Sequence, residues 1–192
     1  MKRTPIPAVL ALLGLSFACA PHTSEPAKDH RLLPLSLGNS WTYVDQRGIE
    51  SVDEVVSSRL INDDVVFHIQ GGPLGELLRG NPVYSDEDRL YVYNVNRSLT
   101  PPEEFLVFDL SAEPGATWQS PWGRVERLDD RTVETPAGKF APVAMFCTGC
   151  NTADGRTEFG LVPGVGFVVQ DRIWFAPNTF DLIEISLRED SD

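Results

Sequence analysis

Histidine is nearly absent from this chain of 192 residues, with three in all: His22, His30 and His68. The first two fall in a polar N-terminal stretch, so His68 is the sole imidazole in the body of the sequence. A Ser-His-Asp triad therefore has one available base, and no Gly-x-Ser-x-Gly elbow accompanies it. Zinc is disfavoured on similar grounds, because no histidine pair has ligand spacing and Cys-x-x-Cys occurs once. Helical periodicity is missing as well. After the first twenty residues the best candidate, Gly75 to Arg79, makes at most one turn. Bases are also short, 16 against 28 acids.

What is present begins with the N-terminus. Met1-Lys2-Arg3 is a basic n-region, residues 8–15 (AVLALLGL) are a short apolar h-region, and Ser16-Phe17-Ala18 supplies small residues before a cut. This has the polarity of a secretory signal over residues 1–18, too short for a permanent membrane span. Cleavage after Ala20 would place Pro21 at the scissile bond, where its ring and missing N–H fit poorly. The cut is therefore expected before Cys19. A small residue directly before a cysteine resembles the lipobox of bacterial lipoproteins, in which that cysteine is lipidated, although Ser16 stands where an aliphatic residue is usual. Ordinary secretion after Ala18 is the alternative. Ala20 follows the cysteine in place of Asp, which by the same resemblance implies the outer membrane.

Losing the leader removes Lys2 and Arg3 and leaves 14 bases against 28 acids, a net charge of −14. Such a chain repels phosphate backbones and anionic lipid heads, which argues against nucleic acid as a partner. The acids are dispersed as pairs and triplets such as Asp63-Asp64 and Asp86-Glu87-Asp88, and their spacings build no cation cage. No cofactor or metal is expected.

Residues 19–33 (CAPHTSEPAKDHRLL) are polar, proline-bearing and aperiodic, the composition of a flexible tether. At ~3.3 Å per residue it reaches at most roughly 50 Å from an anchor. Residues 34–192 read as one domain with a period of two. In residues 65–70 (VVFHIQ), Val65, Phe67 and Ile69 share one face and Val66, His68 and Gln70 the other. Residues 90–93, 105–108, 143–147, 165–169 and 181–187 continue the pattern, separated by turn chemistry such as Arg47-Gly48, Asn62-Asp63, Gly71-Gly72-Pro73 and Pro163-Gly164. The fold class is all-β: an antiparallel meander forming a curved sheet, half-barrel, closed barrel or sandwich. Gly38-Asn39-Ser40-Trp41 and Gly115-Ala116-Thr117-Trp118 repeat a Gly-x-x-Trp pattern, each ahead of a set of strands.

Cys147 and Cys150 remain once Cys19 is assigned to an anchor. Cysteines at the first and fourth positions of a β-turn have Cα atoms within about 7 Å, inside the disulfide range. Thr148-Gly149 between them suits such a turn. A local disulfide is expected, with thiol–disulfide redox chemistry as the alternative reading. An active Cys-x-x-Cys site normally opens a helix, and here the turn-rich residues 151–155 (NTADG) follow.

Three short motifs together resemble a family of bacterial exported proteins, often lipoproteins, of uncharacterised function. They are Leu33-Pro34-Leu35 with Gly38-Asn39-Ser40-Trp41-Thr42-Tyr43, then Thr135-Pro136-Ala137-Gly138-Lys139-Phe140, then Pro163-Gly164-Val165-Gly166-Phe167-Val168. The resemblance implies a β-rich envelope domain and brings no catalytic residues. Read physically, each motif is turn scaffolding.

The functional expectation is a non-enzymatic cell-envelope lipoprotein acting as a binding or assembly module. Its partners would be the membrane, through a lipid on Cys19, and an apolar small molecule or envelope protein. Tyr91 and Tyr93, on the face opposite Leu90 and Val92, and His68 are the candidate ligand-facing side chains.

Overall fold

The computed structural model describes residues 32–94, 102–150, 155–173 and 177–188. Its elements in chain order begin with β1 (Ser40–Asp45), β2 (Glu50–Ile61), β3 (Asp64–Gly71), α1 (Pro73–Leu78), β4 (Val83–Ser85), β5 (Arg89–Asn94) and β6 (Glu103–Asp109). They continue with β7 (Thr117–Ser120), β8 (Gly123–Arg127), β9 (Arg131–Thr135), β10 (Gly138–Thr148), β11 (Arg156–Val162), β12 (Gly166–Ile173) and β13 (Asn178–Ser186). One antiparallel sheet runs β6-β5-β4-β3-β2-β1-β13-β12-β11-β10-β8-β7, with β9 added to the first half of β10.

The two ends of this order meet. Trp118 on β7 donates its indole N–H to the Val107 carbonyl of β6 at 3.1 Å, so the sheet nearly closes as a barrel. That decides among the architectures that period-two patterning left open. The inward faces fill the barrel with aromatic rings. Phe108 lies 5.0 Å from Phe146, 5.4 Å from Phe159 and 5.5 Å from Phe167, centroid to centroid, in tilted and edge-on geometries. Such offsets suit the quadrupoles of the rings, and the interior is a packed core.

The turns use the backbone their residues favour. Asn62 and Asp63 both take positive φ, 50° and 72°, the pair of left-handed residues that closes a two-residue hairpin between β2 and β3. This hairpin projects past β1, whose ladder with β2 reaches only Ser40 and Glu54. Leu60 and Val65, opposed near its tip, are therefore exposed.

Two details differ from the sequence expectation. Leu32 and Leu33, assigned to the tether, are buried in the core, so the folded body starts before residue 34. Period-two patterning holds along residues 65–70 for Ile69, which is buried, but Val65 is exposed and Val66 is fully buried. Val66 lies outside the main core cluster, on the opposite face of the strand. Val65 is exposed because the hairpin tip leaves the barrel.

Candidate functional site

The motifs carrying the family resemblance converge, although 124 residues separate Trp41 from Val165. The Trp41 indole donates to the Val165 carbonyl at 2.6 Å, and the Tyr43 hydroxyl donates to the Phe167 carbonyl at 3.2 Å. β12 pairs with β13 only over Val169–Arg172, so these carbonyls lie beyond the end of that ladder. The two side chains thus supply donors where strand pairing stops. Leu33 packs on Gly166, where an added Cβ would sit 2.4 Å from Leu33 Cδ1, and Gly166 has φ of +91°. Asn39 donates to the Pro34 carbonyl at 2.9 Å and accepts from the Arg188 backbone N–H at 2.7 Å. The Thr-Pro-Ala-Gly turn joins the same region through the Ala137 N–H, which donates to the Leu182 carbonyl at 3.1 Å. Every contact is structural. The second Gly-x-x-Trp uses its indole in the same way, at the β6–β7 closure.

A groove of about 620 Å³ opens elsewhere, between α1 and the β2–β3 hairpin. Val56, Ser57, His68, Gln70, Glu76 and Arg79 line it. Its floor is set by a β-bulge at Val56, between the Val55–Ile69 and Ser57–His68 pairs. Its wall is α1, held in place by Asp53. That carboxylate is fully buried and accepts the Leu74 and Gly75 backbone N–H groups at 2.9 and 2.7 Å, the free donors of the helix's first turn. Gly71 makes the approach possible, because at φ of +104° a Cβ there would lie 2.0 Å from the Val52 carbonyl oxygen. Burial, opposed by these two hydrogen bonds and assisted by the Glu76 charge, pushes the Asp53 carboxyl up to about 6.

His68 is half-buried in the groove. Burial first, and then the Arg59 charge, lower its pKa, while a hydrogen bond with the Gly80 backbone opposes them. The ring is thus neutral at physiological pH. Arg59 reaches it from the same face of β2, since the register pairs Ser57 with His68 and Arg59 with Val66. Nothing in the sequence singles out Arg59 or Arg79, because exposed arginines are unremarkable until a fold brings them beside a cavity.

Tyr91 and Tyr93 do lie opposite Leu90 and Val92, which are fully buried in the core. They do not join His68 in the groove. Tyr91 stacks on Tyr84 at 4.8 Å with planes 8° apart. Tyr93 is only 2% exposed, 5.9 Å from Tyr84, and donates its hydroxyl to Asp64 at 2.9 Å. Burial and the neighbouring carboxylates of Asp64 and Glu104 push its ionisation far up, so it stays a neutral donor. The three rings close on one another.

Cys147 and Cys150 form a disulfide with Cα atoms 5.9 Å apart. Gly149 in the turn has φ of +71°. Cys147 is 1% exposed in the middle of a ladder, paired with Glu126 on one side and Glu158 on the other. An attacking thiolate needs access to the first sulfur of such a pair, and a helix start to stabilise it. A buried strand residue offers neither, which favours the staple over the redox alternative. Replacing both cysteines by alanine is expected to lower unfolding free energy by about 2 kcal/mol or less, with an unchanged urea m-value. A loss well above that in urea titration would mean that the pair carries more than a short loop closure.

Cys19, His22 and His30 lie outside the described residues. Among the described residues, no group of three His, Cys, Asp or Glu side chains is placed to hold a metal ion. Glu158, buried between Arg131 at 2.8 Å and Arg156 at 3.0 Å, is neutralised by ion pairs.

No protein-family model matches the chain, and no curated protein matches it significantly in sequence. Among solved structures, it is similar to an inferred lipoprotein of Parabacteroides distasonis at 12% identity. That alignment covers 81% of this chain and 98% of that one, with a TM-score of 0.49. It is likewise similar to an inferred exported protein with a YmcC-like fold from Bacteroides fragilis at 12% identity. There the coverage is 82% of this chain and 99% of that one, with a TM-score of 0.49.

Proposed function

We propose that this protein is a non-enzymatic lipoprotein of the bacterial cell envelope, anchored through Cys19 in the outer membrane, that works as a binding or assembly module. The observation that carries the reading is the signal-like pattern of residues 1–18 directly ahead of Cys19, followed by a polar, proline-bearing stretch and then the β-rich body. The aromatic packing inside the barrel favours contact on the outside of the domain over an apolar ligand held within it. The groove beside His68 is the contact region in this reading.

Two measurements test it. Expressed in a bacterial host, the wild-type protein is expected in the membrane fraction, with an intact mass raised by acyl chains. Cys19→Ser is expected to shift nearly all of it to the soluble fraction, since stable anchoring needs more than one acyl chain and the remaining acidic surface has no affinity for anionic lipid. A membrane-bound Cys19→Ser variant, or a wild-type mass without acylation, rejects the anchor. For the binding role, protein solubilised from membranes and examined by native mass spectrometry is expected to carry a partner or ligand. Repeated isolation of the bare chain rejects that role.

A further inference from the structure

Most cations of the described residues are already engaged by acids. Arg47, Arg89, Arg127, Arg131, Lys139, Arg156 and Arg172 each form an ion pair with a carboxylate, as expected where acids outnumber bases. Among the described residues, Arg59, Arg79, Arg124 and Arg188 form no ion pair, and the first two of these bear on the groove. Arg79 lines it, and Arg59 faces His68 from β2. Glu76 also lines the groove, but it is engaged by Arg172 at 2.9 Å.

We propose that the groove between α1 and the β2–β3 hairpin binds a small polyhydroxylated organic anion, a sugar phosphate or sugar acid, with Arg59 and Arg79 holding its oxyanion. This rests on the reading of the groove as the contact region. Arginine offers paired donors that match the oxygens of a phosphate or carboxylate. Neutral His68, Ser57 and Gln70 add donors and acceptors suited to hydroxyl groups. At about 620 Å³ the groove is larger than one phosphate ion needs and falls within the usual range for small organic ligands. The protein's net negative charge does not prevent this. At physiological salt the screening length is about 8 Å, which weakens the repulsion from acids farther from the groove than that.

The test uses the full mature chain in detergent, with glucose 6-phosphate, glucuronate and neutral glucose as probes. Binding is measured by calorimetry, and occupancy is read from the His68 ring signals in NMR, assigned by their loss in His68→Gln. Glucose 6-phosphate or glucuronate is expected to bind and shift the His68 signals, with glucose at least tenfold weaker. Arg59→Gln and Arg79→Gln are each expected to weaken anion binding about tenfold or more, in line with the loss of a charge-assisted hydrogen bond. Arg124→Gln, an exposed arginine outside the groove, serves as the control for net charge and is expected to change nothing. Failure of both anions to bind overturns the proposal, as does equal binding by the Arg59→Gln/Arg79→Gln double variant. If a neutral molecule alone moves the His68 signals, the anion class is wrong while the groove remains the contact region. A bare chain from native purification would instead remove the binding role itself.

Discussion

Trp41→Ala is expected to be the most destabilising single change in the domain, lowering unfolding free energy by about 3–5 kcal/mol. Trp41 is fully buried, and its truncation leaves a cavity in the core beside Leu33 and Gly166. It also strands the Val165 carbonyl, which receives the indole N–H at 2.6 Å. A domain of this size has roughly 5–15 kcal/mol in total, so the variant should unfold near physiological temperature. Trp41→Phe separates the two contributions. It keeps most of the apolar volume and removes only the donor, and about 1–3 kcal/mol is expected for leaving the carbonyl unpaired. Tyr43→Phe, which removes the donor to Phe167, should cost about 1 kcal/mol. Urea unfolding followed by circular dichroism measures all three. If Trp41→Phe is as stable as wild type, the indole does not serve as the substitute for strand pairing at the end of the β12–β13 ladder.

The second large effect is a pH dependence governed by Asp53. Its carboxyl is raised to about 6 in the folded protein, against 3.8 for the ordinary group. A raised acid binds its proton more tightly when folded than when unfolded. Its contribution to stability therefore grows as pH falls from about 6 toward 4, by about 3 kcal/mol over the window. Asp181, also raised, by burial and by the Asp171 charge, acts in the same direction. Asp45 is lowered, chiefly by the hydrogen bond from the Ile49 backbone and then by Arg47. Asp109, despite some burial, is lowered by Ser111 and Arg89. Both withdraw stability only below the ordinary carboxyl range. The protein should consequently be more stable at pH 5 than at pH 7.5, and should weaken again below about pH 4. Asp53→Asn is expected to remove most of the rise between pH 7.5 and 5, while costing about 1–2 kcal/mol at pH 5 for one lost acceptor at the start of α1. Urea midpoints across that range decide the matter: an undiminished slope in Asp53→Asn would assign the rise to other groups.

What could be read in advance follows the range of the interactions involved. Strands such as β5 and β13 showed as alternation, and turns such as Asn62-Asp63 and Pro163-Gly164 showed through the residues that tolerate positive φ. β2 was harder to see, because its twelve residues carry Glu, Asp, Ser and Arg, with Val55 and Val56 adjacent at a bulge that breaks the period. Its outer half has no core to face, so no apolar pattern marks it. Alternation alone puts Tyr91 and Tyr93 on the face opposite Leu90 and Val92. That Tyr84 and Asp64 close over Tyr93 depends on the pairing of three strands, which one strand's sequence does not encode.

The groove shows the same division. His68 stood out by scarcity alone, whereas Arg59, Arg79 and Asp53 matter only through neighbours far along the chain. By itself the sequence determined the β class and the turn-forming motifs, because each rests on residues within a few positions of one another. The tertiary structure alone decided that the sheet rolls until β6 meets β7 and that Trp41 and Tyr43 staple a strand 124 residues away. It also decided which arginines are left without carboxylates beside a cavity. Those outcomes depend on strand order, and strand order is set by the packing of the whole core.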